Sequence, residues 1–249
     1  MSGTNEQRVA LVTGSSSGIG AAVARRLAAD GLRVAVNSVR STEAGQALAA
    51  ELPGAVYVQG DVSDGAGAAR VVETVVAHYG RLDVLVNNAG TTAFIPLDDL
   101  EAADAEVWRR ILDVNVIGVW QMTTAAAPHL RASGAGAVVN VSSVSATRAL
   151  GSSVPYAVSK AAVNHLTRLL ASQLGPTVRV NAVAPGLIDT PWYEGAEEVW
   201  ESSKEWITTH TPLRRVGTPE DVAEAVRYLL DAGYTTGDVL TVDGGRHLV

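Results

Sequence analysis

Seven short apolar runs, each dominated by valine, recur along this 249-residue chain: Val9–Val12, Arg33–Asn37, Ala55–Gln59, Val84–Asn87, Ala137–Val141, Val178–Val183 and Val239–Val242. They are continuous rather than alternating, and a strand without a polar face has to be covered on both sides. Between them lie segments with a 3.6-residue apolar period. In one, Val71, Val72, Val75, Val76 and Tyr79 fall on a single stripe. Another opens on Thr218 as N-cap, with Pro219 first and Glu220 and Asp221 in the opening turn. Strand and helix in alternation predict one α/β domain over residues 8–249, preceded by a loose tail at 1–7. The expected architecture is a doubly wound, mostly parallel, seven-stranded sheet with helices on both faces.

Composition narrows the function. Hydrophobic residues at 47% against 18% charged supply a sizeable core. A net charge of −7 and 5% aromatic content argue against a nucleic-acid partner, which calls for clustered cations and stacking rings. With no cysteine, disulfides, thiolate metal sites and cysteine nucleophiles are excluded. The first ten residues lack an apolar leader, and no apolar run approaches the ~20 residues of a spanning helix, so a cytoplasmic protein without membrane contact is expected. Of 19 basic residues only Lys160 and Lys204 are lysine.

The first strand runs into Thr13-Gly14-Ser15-Ser16-Ser17-Gly18-Ile19-Gly20 and then a helix. Small residues let the backbone approach a pyrophosphate, whose charge the helix N-terminus stabilises. The spacing is G-x-x-x-G-x-G, and no Gly-Lys-Ser/Thr follows, so a P-loop is excluded. The end of the second strand meets the adenosine ribose in such folds, and a carboxylate there favours NAD. This chain has Asn37-Ser38-Val39-Arg40 instead. With Ser38 and Arg40 available to a 2′-phosphate, NADP is the expected cofactor and NAD the second possibility.

Tyr156 and Lys160 lie four residues apart at the start of a helix, so phenol and ammonium share a face. Moving a tyrosine pKa from about 10 to about 7 takes roughly 4 kcal/mol. A cation about 4 Å away at an effective dielectric of ~20 supplies about that much. Upstream, Val138–Val141 leads into Ser142 and Ser143 at the ligand-binding edge of the sheet.

Taken together, the motifs resemble those of the short-chain dehydrogenase/reductase family over essentially all of Arg8–Gly245. They are TGSSSGIG at Thr13–Gly20, Asp61-Val62, NNAG at Asn87–Gly90, Asn115, Ser143, YAVSK at Tyr156–Lys160 and APGLIDT at Ala184–Thr190. The resemblance implies a Rossmann-type fold and hydride transfer between a nicotinamide and a carbonyl or secondary-alcohol substrate. It assigns Tyr156 as general acid/base and Ser143, thirteen positions upstream, as the group orienting the oxygen. Lys160 is expected to hold the nicotinamide ribose and depress the Tyr156 pKa, with Asn115 positioning a relay water. It further implies Gly14, Ser17, Ile19 and Gly20 at the phosphates, Asp61 and Val62 at the adenine, and Asn88, Ala89 and Gly90 along the ribose. Pro185, Gly186, Ile188 and Thr190 are expected around the nicotinamide. One departure concerns the nucleotide, because many NADP-using members carry a basic residue where this chain has Ser17. The family's usual homotetramer places helices Ala103–Leu130 and Tyr156–Leu174 in one interface. Competing readings are an NAD-linked alcohol or sugar dehydrogenase and a non-catalytic dinucleotide sensor.

Residues 190–215 are expected to form a substrate lid holding Trp192, Trp200 and Trp206. On a helical wheel Glu194, Glu197, Glu198, Glu201 and Glu205 make one stripe; Tyr193, Val199, Trp200, Trp206 and Ile207 make the apolar side. Phe94 and Val144–Arg148 are further candidates for the pocket wall. The five histidines are scattered and suggest no metal site.

Overall fold

The computed structural model describes residues 7–249, so most of the expected tail lies outside the described residues. Gln7 itself is tied down, donating to the Gly31 carbonyl at 2.7 Å. The strands are β1 (Val9–Val12), β2 (Arg33–Ser38), β3 (Val56–Gln59), β4 (Val84–Asn87), β5 (Gly136–Val141), β6 (Val178–Pro185) and β7 (Val239–Val242). The helices are α1 (Gly18–Ala29), α2 (Thr42–Glu51), α3 (Gly65–Tyr79), α4 (Ala105–Leu112), α5 (Gly118–Ala132), α6 (Val154–Leu174), α7 (Glu197–His210) and α8 (Pro219–Asp231). All seven expected strands are present.

Strand order is β3-β2-β1-β4-β5-β6-β7, and every pairing is parallel, so the sheet is wholly rather than mostly parallel. The chain winds outward from β1 to β3, then returns to place β4 beside β1. Ligands bind at the carboxyl ends of strands flanking such a reversal. The continuous valine runs have the expected cause: along β1, Ala10 and Val12 enter one core while Val9 and Leu11 enter the other. α1, α2 and α8 cover the first face, and α3, α5 and α6 cover the second. The predicted stripe of α3 packs Val71, Val72 and Val75 into this second core.

Local signals set the helix ends. Asp64 caps α3 by accepting from the Ala66 and Gly67 amides, and Gly80 ends it at φ +78°. Thr218 and Asp221 form a reciprocal capping box at the start of α8. Ser153 caps α6 by accepting from the Tyr156 amide, which fixes the turn that carries Tyr156.

Candidate active site

A cleft of about 510 Å³ runs across the carboxyl ends of the strands, from the α1 loop to the Tyr156 turn. Gly14, Ser17, Ile19, Ser38, Arg40, Asp61, Val62, Asn88, Ala89 and Gly90 line it, with Pro185, Gly186, Ile188 and Thr190 toward the other end. Ser143, Tyr156 and Lys160 share that wall.

The loop entering α1 is built for close approach. Gly14 stands at φ +60°, and a Cβ there would lie 2.7 Å from Ala89 Cα. The Ser17 side chain caps nothing, and the amides of Gly18, Ile19 and Gly20 donate to no atom among the described residues. A first helical turn with free donors facing a cleft fits a pyrophosphate. Asn88 staples this loop, its amide donating to the carbonyls of Thr13 (3.0 Å) and Gly14 (2.8 Å). Gly20 is buried, with the side that would carry a Cβ turned toward the loop rather than the cleft. A Cβ on it would press on Asn88 Nδ2 at 2.5 Å and Gly14 O at 2.6 Å, so it lets α1 approach the loop from behind.

At the ribose corner, Asn37 donates to the Val58 and Gly60 carbonyls at 3.0 and 3.1 Å while accepting from the Gly14 amide. An ionised carboxylate could accept but not donate, so it could not replace this amide. The Ser38 hydroxyl is already engaged, 2.9 Å from the Tyr57 hydroxyl and donating to the Ser41 carbonyl. Arg40 is exposed and lines the cleft, and no hydrogen bond or ion pair occupies its guanidinium among the described residues. Of the two residues expected at a 2′-phosphate, Arg40 is the one free to bind it. Arg110 of α4 also faces the cleft, a residue the sequence reading missed because it reads as an ordinary surface cation of a short amphipathic helix.

The two serines after β5 separate cleanly. Ser142 is buried, its hydroxyl donating to Asn164 Oδ1 at 2.6 Å. Ser143 faces the cleft, accepts from Ser145 Oγ at 2.8 Å, and is a hydrogen-bond partner of the Tyr156 phenol. Lys160 is only 5% exposed; its ammonium donates to the Val141 carbonyl at 2.8 Å and lies 5.7 Å from the Tyr156 ring centre. Its remaining N–H directions are free for the ribose hydroxyls of a dinucleotide.

The expected depression of the Tyr156 pKa is not what these surroundings produce. Burial pushes the phenol well above its ordinary range, and the Ser143 hydrogen bond only partly opposes this. Burial also lowers Lys160, to about 8. The ammonium stands 5.7 Å from the ring centre, and desolvation of the phenol is the dominant cause of its shift.

Asn115 sits in a π-helical turn, Asp113–Ile117, between α4 and α5, the backbone distortion that an asparagine between valines invites. It is completely buried behind the cleft wall. Its amide accepts from the Thr91 N–H at 2.8 Å and donates to the Thr91 carbonyl and Ser159 Oγ, both at 3.0 Å. A Cβ on Gly90 would meet Asn115 Oδ1 at 3.5 Å and Lys160 Nζ at 3.7 Å, so both groups converge on that glycine.

The lid differs from its helical-wheel picture. Pro191–Tyr193 is a 3-10 turn and only 197–210 is α-helical. This turn reaches the site, with the Trp192 ring 6.0 Å from that of Tyr156. Tyr193 packs between Phe94 (5.6 Å) and Trp200 (5.2 Å), so α7 braces the turn from behind. Ile207 is buried, but Val199 and Trp206 remain exposed. Within Val144–Arg148, Val144 and Ser145 are buried and Arg148 grips the chain end, so the expected wall from this segment is not formed.

Comparison with known proteins gives the family. A family model described as enoyl-(acyl carrier protein) reductase matches residues 14–247. "Granaticin polyketide synthase putative ketoacyl reductase 2" of Streptomyces violaceoruber is 62% identical over 244 residues, spanning 98% of each chain. The 3-oxoacyl-(acyl-carrier-protein) reductase of Thermotoga maritima is 40% identical over 248 residues, 96% of this chain and 98% of that protein. A solved structure of a short chain dehydrogenase/reductase family protein superposes with TM-score 0.84 at 35% identity, over 98% of this chain and 99% of that one.

Proposed function

The chain belongs to the short-chain dehydrogenase/reductase family, and we propose that it is an NADP(H)-dependent ketoreductase acting on a carbonyl or secondary alcohol. The observation that carries this reading is the convergence of Ser143, Tyr156 and Lys160 on one wall of the cleft, beyond a loop whose free amides suit a pyrophosphate. Bound there, the nicotinamide supplies the hydride for a ketone carbon or accepts one from an alcohol. Ser143 donates to the substrate oxygen and orients it. Tyr156 passes its proton to that oxygen as the carbon is reduced, and recovers one in the reverse direction. Lys160 holds the ribose hydroxyls. The Asn115–Thr91 pairing keeps the segment after Gly90 in place beneath them. Trp192 and Tyr193 exclude water from the reacting centre.

Flat aromatic walls favour a ketone with a bulky apolar body, and the ketoacyl reductase relatives support a ketone rather than a sugar. Enoyl reduction is the second reading, favoured by the description of the matching family model. NADPH oxidation over a panel of ketones, with an enoyl thioester alongside, separates the two. Turnover confined to the thioester sinks the ketone reading, and a silent panel with tight NADPH binding points to a sensor.

Arg40 carries the nucleotide preference. Charge-assisted hydrogen bonds contribute about 1.5–3 kcal/mol. Arg40→Ala is therefore expected to weaken NADPH binding by roughly tenfold to a hundredfold and to leave NADH binding nearly unchanged. Equal loss of both nucleotides by calorimetry would clear Arg40 of the role.

The same reading carries a cytoplasmic homotetramer. Ile117, Trp120, Val158 and Leu169 are exposed apolar residues on the two helical segments expected at one interface. Light scattering is expected to give a tetramer mass, and Trp120→Glu a smaller species. A monomeric wild type rules the assembly out.

A further inference from the structure

Ser143 heads a short 3-10 turn, Val144–Ala146, whose middle residue is Ser145. Ser145 is only 5% exposed, and Gly151 folds over it. Gly151 stands at φ +140°, and a Cβ there would lie 3.1 Å from Ser145 Cβ, so only glycine lets this segment close.

Two hydrogen bonds join the serines, and both end on the Ser143 oxygen. The Ser145 amide donates to Ser143 Oγ at 3.2 Å, and the Ser145 hydroxyl donates to it at 2.8 Å. Burial accounts for the direction of the second bond. The Ser145 proton meets no other acceptor among the described residues, and a buried hydroxyl keeps its proton paired. Were Ser143 the donor, that proton would be stranded.

A hydroxyl oxygen offers two lone pairs and one proton. Both lone pairs of Ser143 are filled from behind, so its proton is what it presents to the Tyr156 phenol and the cleft. The sign of the contact agrees, because the Ser143 hydrogen bond lowers the Tyr156 pKa against burial, as a donor to the phenol oxygen does. Ser142 takes no part, its hydroxyl being spent on Asn164 Oδ1.

We infer that Ser145 is a positioning residue that makes Ser143 a hydrogen-bond donor alone, aimed at the substrate oxygen. This inference rests on the ketoreductase reading of the same cleft. With a lone pair open, Ser143 can accept the Tyr156 proton and hold it away from the ketone. With both filled, that arrangement is closed. The negative charge that grows on the oxygen during hydride addition then meets two donors, Ser143 and Tyr156.

The test is a double-mutant cycle on NADPH-dependent reduction of the uncharged ketone that the wild type turns over fastest. Ser145→Ala is expected to lower kcat about tenfold, the scale of one hydrogen bond, with ketone KM and NADPH affinity within about twofold. Ser145→Cys, similar in size but a weak donor, is expected to fall with it. In a Ser143→Ala background, Ser145→Ala is expected to cost nothing further, because the group it aims is gone. The unfolding temperature reports that every variant folds. Wild-type kcat in Ser145→Ala or Ser145→Cys overturns the inference. So does a Ser145→Ala loss that repeats in full without the Ser143 hydroxyl, or one carried by KM alone. Failure of the ketoreductase reading shows separately, as a wild type that oxidises NADPH with no ketone, and the inference then falls with it.

Discussion

Tyr156→Phe is expected to lower kcat for ketone reduction by about a thousandfold, within the range general acid catalysis supplies, and to leave NADPH affinity within about twofold. The substitution removes one hydroxyl and keeps the ring that packs against Trp192. The Lys160 contact to the Val141 carbonyl is untouched as well. The protonation state gives a second readout. Because burial holds the phenol above its ordinary range, Tyr156 is protonated at neutral pH and already in the form a reductase needs. Wild-type reduction should therefore stay level through neutral and mildly alkaline pH, whereas alcohol oxidation, which needs the phenolate, should climb as pH rises. Full activity in Tyr156→Phe would remove the residue from the chemistry; an oxidation rate independent of pH would remove it as the base.

Lys160→Met should separate activity from stability. Turnover is expected to be lost, because the ribose anchor and the cation beside Tyr156 go together. The fold without added nucleotide should nonetheless become more stable at pH 7. Burial shifts Lys160 from 10.5 to about 8, so below pH 8 the folded state carries a charge it disfavours, at about 3 kcal/mol by the pKa difference. Losing the hydrogen bond to Val141 returns about 1 kcal/mol of this. The net gain of roughly 2 kcal/mol corresponds to a melting temperature about 4–8 °C higher for a chain of this size. Between pH 8 and 10.5 the unfolded chain binds a proton that the folded one has released, so wild-type stability rises with pH and the variant's advantage shrinks. Denaturant unfolding at pH 7 and pH 10 measures this directly. A variant less stable than wild type at pH 7, or an advantage that does not fall with pH, contradicts the buried-charge account.

The sheet was legible because a strand covered on both faces has to be apolar at every position, and the valine runs satisfy that locally. The glycine loop and the Tyr156–Lys160 pair were legible for a similar reason, since each is a short segment whose function depends on its own spacing. Asn115 was legible even as a distortion, because a polar residue at an apolar helical position has to find partners. What stayed hidden depends on convergence of distant segments. Asn37 donates to carbonyls on β3 and the turn after it, a contact no pattern within 33–38 reveals. Gly20 looks like a ligand-facing glycine in the motif, yet its missing Cβ serves packing behind the loop. Arg246 and Trp206 are forty residues apart and meet only because the chain end folds back on α7. The sign of the Tyr156 shift was missed because burial is a property of the assembled site.

The π turn at Asp113–Ile117 bears on how this sequence can be edited. Such a turn is an α-helix with one residue spliced in, so the faces of α4 and α5 are out of phase by about 100°. A point substitution at Asn115 leaves that extra residue in place and empties the contacts to Thr91 and Ser159. A one-residue deletion there lets the rod heal into a regular helix, which either swings the amide away from Thr91 or rotates α5 off the sheet. In this segment, chain length itself carries information, and a library of single deletions reads it where a library of substitutions is blind.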